Sequence, residues 1–69
     1  MKNENWITYW WEIVNEDSAL CGEEFFTELK SDNKATHFKY AKEIFPNEKL
    51  HCLGKVSAIE AEMMGLDTY

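Results

Sequence analysis

Apolar and polar positions alternate along residues 6–14, Trp-Ile-Thr-Tyr-Trp-Trp-Glu-Ile-Val, and the segment is rich in aromatic and β-branched types, which predicts a strand. Read with a period of two, Ile7, Tyr9, Trp11 and Ile13 make one continuous apolar face, while Trp6, Thr8, Trp10, Glu12 and Val14 make a mixed one. Turn formers fill residues 15–22. Residues 23–29 then alternate again, with Phe25, Thr27 and Leu29 set against Glu24, Phe26 and Glu28, as the return strand of a hairpin would. A helical turn over residues 23–30 competes with that strand, because Phe25 and Leu29 are also four apart.

Ser31, Asp32 and Asn33 offer capping side chains ahead of residues 34–45, where Ala35, Phe38, Ala41 and Phe45 keep helical spacing with Ile44 beside them. Pro46 stops this main helix, and Lys34, Lys39 and Lys42 fall away from its apolar stripe. Residues 49–56 alternate once more, placing Leu50, Cys52 and Val56 on one side and His51, Leu53 and Lys55 on the other; Gly54 marks a bulge or a close backbone approach. Ser57 and Glu60 match a capping box and Gly65 a left-handed stop, so a helix of about two turns lies between them.

These elements define an α+β fold with chain order β-β-α-β-α. A crossover through the main helix makes the third strand parallel to the second, and seating the apolar first strand between them gives a three-stranded antiparallel sheet in the order 2-1-3. Both helices are expected on one face, that of Ile7, Tyr9, Trp11, Ile13, Phe25, Leu29, Leu50 and Val56. The other face, with Trp6, Trp10, Phe26 and Leu53, is then either an interaction surface or the seat of a C-terminal segment, bearing Met63, Met64, Leu66 and Tyr69, that folds back.

The chain of 69 residues reads as a single small domain, 1–69. At that length only about 60% of the unfolded surface is buried, so its ten aromatic side chains (three Trp, three Tyr, four Phe) must supply much of the core. There is no arginine, and 7 lysines against 13 carboxylates leave a formal charge of −6. Direct nucleic-acid binding, which depends on cationic residues displacing counterions, is disfavoured. No apolar run approaches the roughly 18 residues of a membrane span, and the opening Met-Lys-Asn-Glu-Asn lacks a secretory apolar segment, so no membrane partner and a cytoplasmic location are expected.

Chemistry-bearing residues are few. Cys21, His37, His51 and Cys52 are the only thiols and imidazoles, and four such groups are enough for a zinc site. Their spacing argues against one, since His51 and Cys52 are neighbours on a strand and point to opposite faces, and no Cys-x-x-Cys pair exists. The expectation is free buried thiols, Cys52 in the core, both histidines on the surface, and no metal, cofactor or catalytic residue. Neither a nucleophile elbow nor a phosphate-binding glycine loop is present, and so short a chain has little volume for a deep pocket.

The hairpin closing on Gly22-Glu23, the Phe45-Pro46 stop, the run from Leu50 through Gly54-Lys55-Val56-Ser57, and the tail Glu60-Ala-Glu-Met-Met-Gly-Leu-Asp-Thr-Tyr69 resemble the short uncharacterised proteins carried on conjugative elements of Gram-positive bacteria. The resemblance spans most of the chain and implies an accessory or cargo role in a mobile genetic element, with no activity, cofactor or site residue to carry over. The leading functional expectation is a non-enzymatic module for protein–protein interaction or self-association, using Trp6, Trp10, Phe26 and Leu53 as its surface. The alternative is an acidic decoy, whose carboxylates at Glu12, Glu16, Asp17, Glu23, Glu24 and Glu28 imitate phosphates and block a basic protein that handles nucleic acid.

Overall fold

The computed structural model describes residues 6–69. Residues 1–5, read above for the absence of a secretory segment, lie outside the described residues. The elements are β1 (Ile7–Ile13), β2 (Glu24–Leu29), α1 (Lys34–Ile44), β3 (Leu50–Val56) and α2 (Ala58–Met64). The strands form an antiparallel sheet in the order β2-β1-β3, so fold class, chain order and sheet order are those the pattern predicts, and residues 24–29 are strand rather than helix.

β1 takes the centre because its apolar face has the most to bury. Tyr9, Trp11 and Ile13 cluster with Phe25 of β2 and Ala41 of α1, and Ile7, Phe45, Leu50 and Cys52 pack around them. Removing each large side chain of this kind from water is worth roughly 1.5–3 kcal/mol. Asn33 caps α1, its side-chain oxygen accepting from the Ala35 backbone N–H at 2.8 Å, and the helix gives way at Phe45 just before Pro46.

α1 is rotated from the expected stripe. His37 and Ala41 are the residues it buries, whereas Ala35 and Phe38 lie at the flank, both exposed. His37 is 0% exposed. The expectation that both histidines are surface residues is therefore corrected for His37 and holds for His51. The cause is a set of hydrogen bonds described below, which turns the helix until the imidazole meets the sheet.

The register between β1 and β3 shifts at Trp10/Trp11: Trp11 faces Cys52 and Trp10 faces Gly54, so Leu53 is the extra residue of a bulge. Beyond it the alternation is reversed. Lys55 shares the α1 face with Tyr9, and Val56 pairs with Thr8 on the other side, which corrects the assignment of Val56 to the face of Leu50 and Cys52. Gly54 has φ 126°, a conformation open to glycine and strained for any residue with a Cβ. Gly54→Ala is expected to cost about 1–3 kcal/mol through that strain alone, because nothing lies within 4 Å of an added Cβ. Thermal unfolding of the variant measures it, and an unchanged midpoint would mean that the bulge relaxes freely.

The largest correction concerns α2. Thr8 and Phe26 point away from α1, yet they are 3% and 0% exposed. β3 ends on this face at Val56, α2 follows after Ser57, and the chain reappears along the outer edge of β2. There the Phe26 N–H donates to the Asp67 carbonyl at 2.8 Å, the Tyr69 N–H to the Phe26 carbonyl at 2.9 Å, and the Glu28 N–H to the Tyr69 carbonyl at 2.9 Å, around a parallel bridge between Phe26 and Thr68. To make that journey α2 must cross the sheet over Thr8 and Phe26, and Ala61, its one buried residue, gives the close approach.

Connection chirality gives the reason. β2-α1-β3 and β3-α2-tail both join parallel segments, but they traverse the sheet in opposite directions. Right-handed crossovers in opposite directions put their helices on opposite faces. The expectation that both helices share one face, leaving Trp6, Trp10, Phe26 and Leu53 without cover, is replaced by a helix on each side of the sheet.

Candidate functional site

His37 belongs to a buried polar chain. The Trp11 Nε1–H donates to Thr27 Oγ1 at 2.9 Å, Thr27 Oγ1 lies 2.7 Å from His37 Nδ1, and His37 Nε2 lies 2.8 Å from the Ser31 carbonyl. A carbonyl brings no proton, so Nε2 carries one and donates; the Thr27 hydroxyl, already accepting from Trp11, donates its own proton to Nδ1. Tyr9 packs beside the imidazole with ring centroids 4.6 Å apart and planes tilted by 58°. Both ring nitrogens are thus engaged within the core, which is an architecture for holding α1 on the sheet and leaves no nitrogen free to act as a base.

The four expected interface residues have separate fates. Phe26 is fully buried beneath α2 and reaches no partner in the folded state, a correction to its placement on an interaction surface. Trp10 is half-buried, and its Nε1–H donates to Glu24 Oε1 at 2.9 Å. Trp6 is half-buried, and Leu53 stands on the bulge with its side chain partly in solvent.

The hairpin carboxylates divide likewise. Glu16, Asp17 and Glu23 are exposed, while Glu12 and Glu24 stand opposite each other across β1 and β2 and are partly buried.

The sequence reading missed the outer side of α2. Ile59 and Met63 are 72% and 82% exposed. At 3.6 residues per turn both lie about 160° around the helix from Ala61, one turn apart on a single crest. Glu60 and Glu62 flank that crest, and the last turn of α2 has no basic residue. The signal was legible, since Ala58 and Ala61 mark one side and Ile59 and Met63 the other.

A second feature opens on the α1 side. Between α1 and the outer strand β3 runs a groove of about 320 Å³, with Trp11, Leu50 and Cys52 on its floor, Ala35 and Phe38 along the helix, and Lys34 at its rim. A larger concavity of about 530 Å³ lies at the end of the sheet, where Thr8, Val56 and Ser57 meet. The Ser57 hydroxyl there is committed to capping α2, accepting from the Glu60 N–H at 3.1 Å, while the Glu60 carboxylate accepts from the Ser57 N–H.

Both thiols are free, as expected, but Cys21 is exposed and Cys52 half-buried rather than both buried. Among the described residues no group of three or more His, Cys, Asp or Glu is arranged to hold a metal ion. None of the helices there is long and apolar enough to cross a membrane. Lys55 and Asp32 form an exposed ion pair that ties β3 to the start of α1, where the Tyr9 hydroxyl also donates to the Asp32 carbonyl at 3.0 Å. The hydrogen bond to Asp32 holds Lys55 above the ordinary lysine pKa, so its small stabilisation is present below that range and lost as pH rises through it.

No protein-family model matches the chain, and no curated protein or solved structure matches it either.

Proposed function

We propose that the protein is a non-enzymatic interaction module that docks through the outer crest of α2 onto a partner surface that is apolar and bordered by basic residues. The observation that carries this reading is the inverted polarity of α2, which buries the small Ala61 against the sheet and turns Ile59 and Met63 to solvent. A single exposed apolar side chain needs no explanation. Two long ones side by side on a crest each forgo roughly 1.5–3 kcal/mol of burial, which a partner would supply. Glu60 and Glu62 on either side define the complementary charge of that partner. The contact surface moves from the sheet face of Trp6, Trp10, Phe26 and Leu53 to the helix lying over it.

A photoreactive side chain at position 63, compared with one at position 39 on α1, tests the reading in living cells. Position 63 is expected to give a defined protein adduct that maps to an apolar surface with Lys or Arg at its border. Ile59→Glu should weaken that association roughly ten- to hundredfold, the loss of one buried apolar side chain at 1.4 kcal/mol per decade. Adducts no more abundant at 63 than at 39 would overturn it.

A further inference from the structure

We infer that the partner received by the α2 crest is a second copy of this chain, seated in the groove between α1 and β3. The inference rests on the crest reading above and names its occupant. Charge complementarity is the first argument. Two crests packed against each other would bring Glu60 and Glu62 of both copies together, with no cation on the last turn of α2 to separate them. Like charges at a desolvated contact oppose association. The groove offers the opposite environment: Lys34 stands at its rim, and the first turn of α1 carries no acidic residue to meet the positive end of the helix dipole. The carboxylates flanking the crest of another copy fit that place.

Shape agrees with charge. A crest of two side chains one helical turn apart is narrow, and the groove is mostly apolar, lined by Trp11, Leu50, Cys52 and the exposed Phe38, with Lys34 and His51 as its polar members. The association does for Phe38 what it does for Ile59 and Met63, covering apolar surface that the monomer leaves in water.

Position then fixes the symmetry. The crest lies over one face of the sheet and the groove lies on the other, so one two-fold axis does not bring crest to groove twice in the same pair. The contact is head-to-tail, and it leaves a free crest at one end and a free groove at the other. Copies therefore add past two, closing as a ring or continuing as a filament.

Two blocked variants test this. Met63→Glu adds a third carboxylate beside Glu60 and Glu62 at a solvent-exposed position of the crest, so that it also repels the Ala35→Glu groove. Ala35→Glu fills the groove with a carboxylate at a helix start, where acidic residues favour folding, so the fold is preserved. By analytical ultracentrifugation the wild type is expected to rise with concentration beyond the mass of a dimer. Each variant alone should remain a monomer, and an equimolar mixture should form a one-to-one pair of twice the monomer mass and stop there, because one intact crest meets one intact groove.

A wild type that stays monomeric to millimolar concentration would overturn the second copy as occupant while leaving the crest reading to the crosslinking experiment. A wild type that stops at two copies and loses association with Met63→Glu but not with Ala35→Glu would overturn the groove and show crest-to-crest pairing. Failure of the mixed variants to pair would also overturn it.

Discussion

Phe26→Ala is expected to destabilise the protein by about 3–5 kcal/mol, the cost of emptying a large buried aromatic site. A domain of this size has roughly 0.05–0.15 kcal/mol per residue in total, so the variant would stand at the edge of unfolding at 25 °C. Phe26 points to the face away from α1, and it is 0% exposed because α2 crosses above it and residues 67–69 pair with its own backbone. Leu53→Ala, on the bulge of the same sheet, serves as the control and should cost under about 1 kcal/mol, as partly exposed sites do. Denaturant unfolding of both variants decides the matter. A loss of less than about 1 kcal/mol at Phe26 would mean that α2 does not bury this face.

The same residue shows how far the sequence reading reached. Strict alternation assigned the two faces of β1 and β2 correctly, side chain by side chain, because a strand period of two leaves no freedom once a single position is placed. The capping box at Ser57 and Glu60 and the stop at Gly65 bounded α2 for an equally local reason. Where distant parts of the chain decide the outcome, local pattern was silent. Residues 67–69 are too few to carry a periodic signal, yet their pairing with β2 reverses the direction of the last crossover and so sends α2 to the other face. Gly54 was legible as a bulge, and only the register with β1 tells that Leu53 is the extra residue and that Val56 changes sides.

The rotation of α1 has the same origin. His37, Ala41 and Ile44 have helical spacing as good as that of Ala35, Phe38, Ala41 and Phe45. The sequence favours the second set because it is wholly apolar. The fold chooses the first because Thr27 and Ser31 stand ready to satisfy both nitrogens of His37. That choice leaves Ala35 and Phe38 at the flank, and the groove against β3 exists because of it. The candidate docking groove is thus a by-product of a buried hydrogen bond, which no reading of hydrophobicity alone would find. The crest of α2 was different, since its inverted pattern is local and only the direction of the sheet was needed to interpret it.

Thr27→Val should cost about 2–4 kcal/mol although it preserves shape and adds apolar character, because it leaves two buried polar groups without partners at about 1–3 kcal/mol each. The Thr27 hydroxyl accepts from the Trp11 indole and donates to His37 Nδ1, and Trp11, Thr27 and His37 are all at most 1% exposed. Water has no entry to replace it. Thr27→Ser keeps the hydroxyl and loses one methyl group, for about 1 kcal/mol, so the difference between the two variants isolates the hydrogen bonds from the packing. Urea unfolding gives both values. In the wild type the Trp11 indole proton should exchange slowly and the imidazole nitrogens should report a proton on Nε2; in Thr27→Val the indole protection should fall while Thr27→Ser retains it. Equal destabilisation by the two variants would mean that the hydroxyl is not the hub. If the difference appears, the polar chain sets the rotation of α1 on the sheet, and loosening it should also reshape the groove that begins at Ala35 and Phe38.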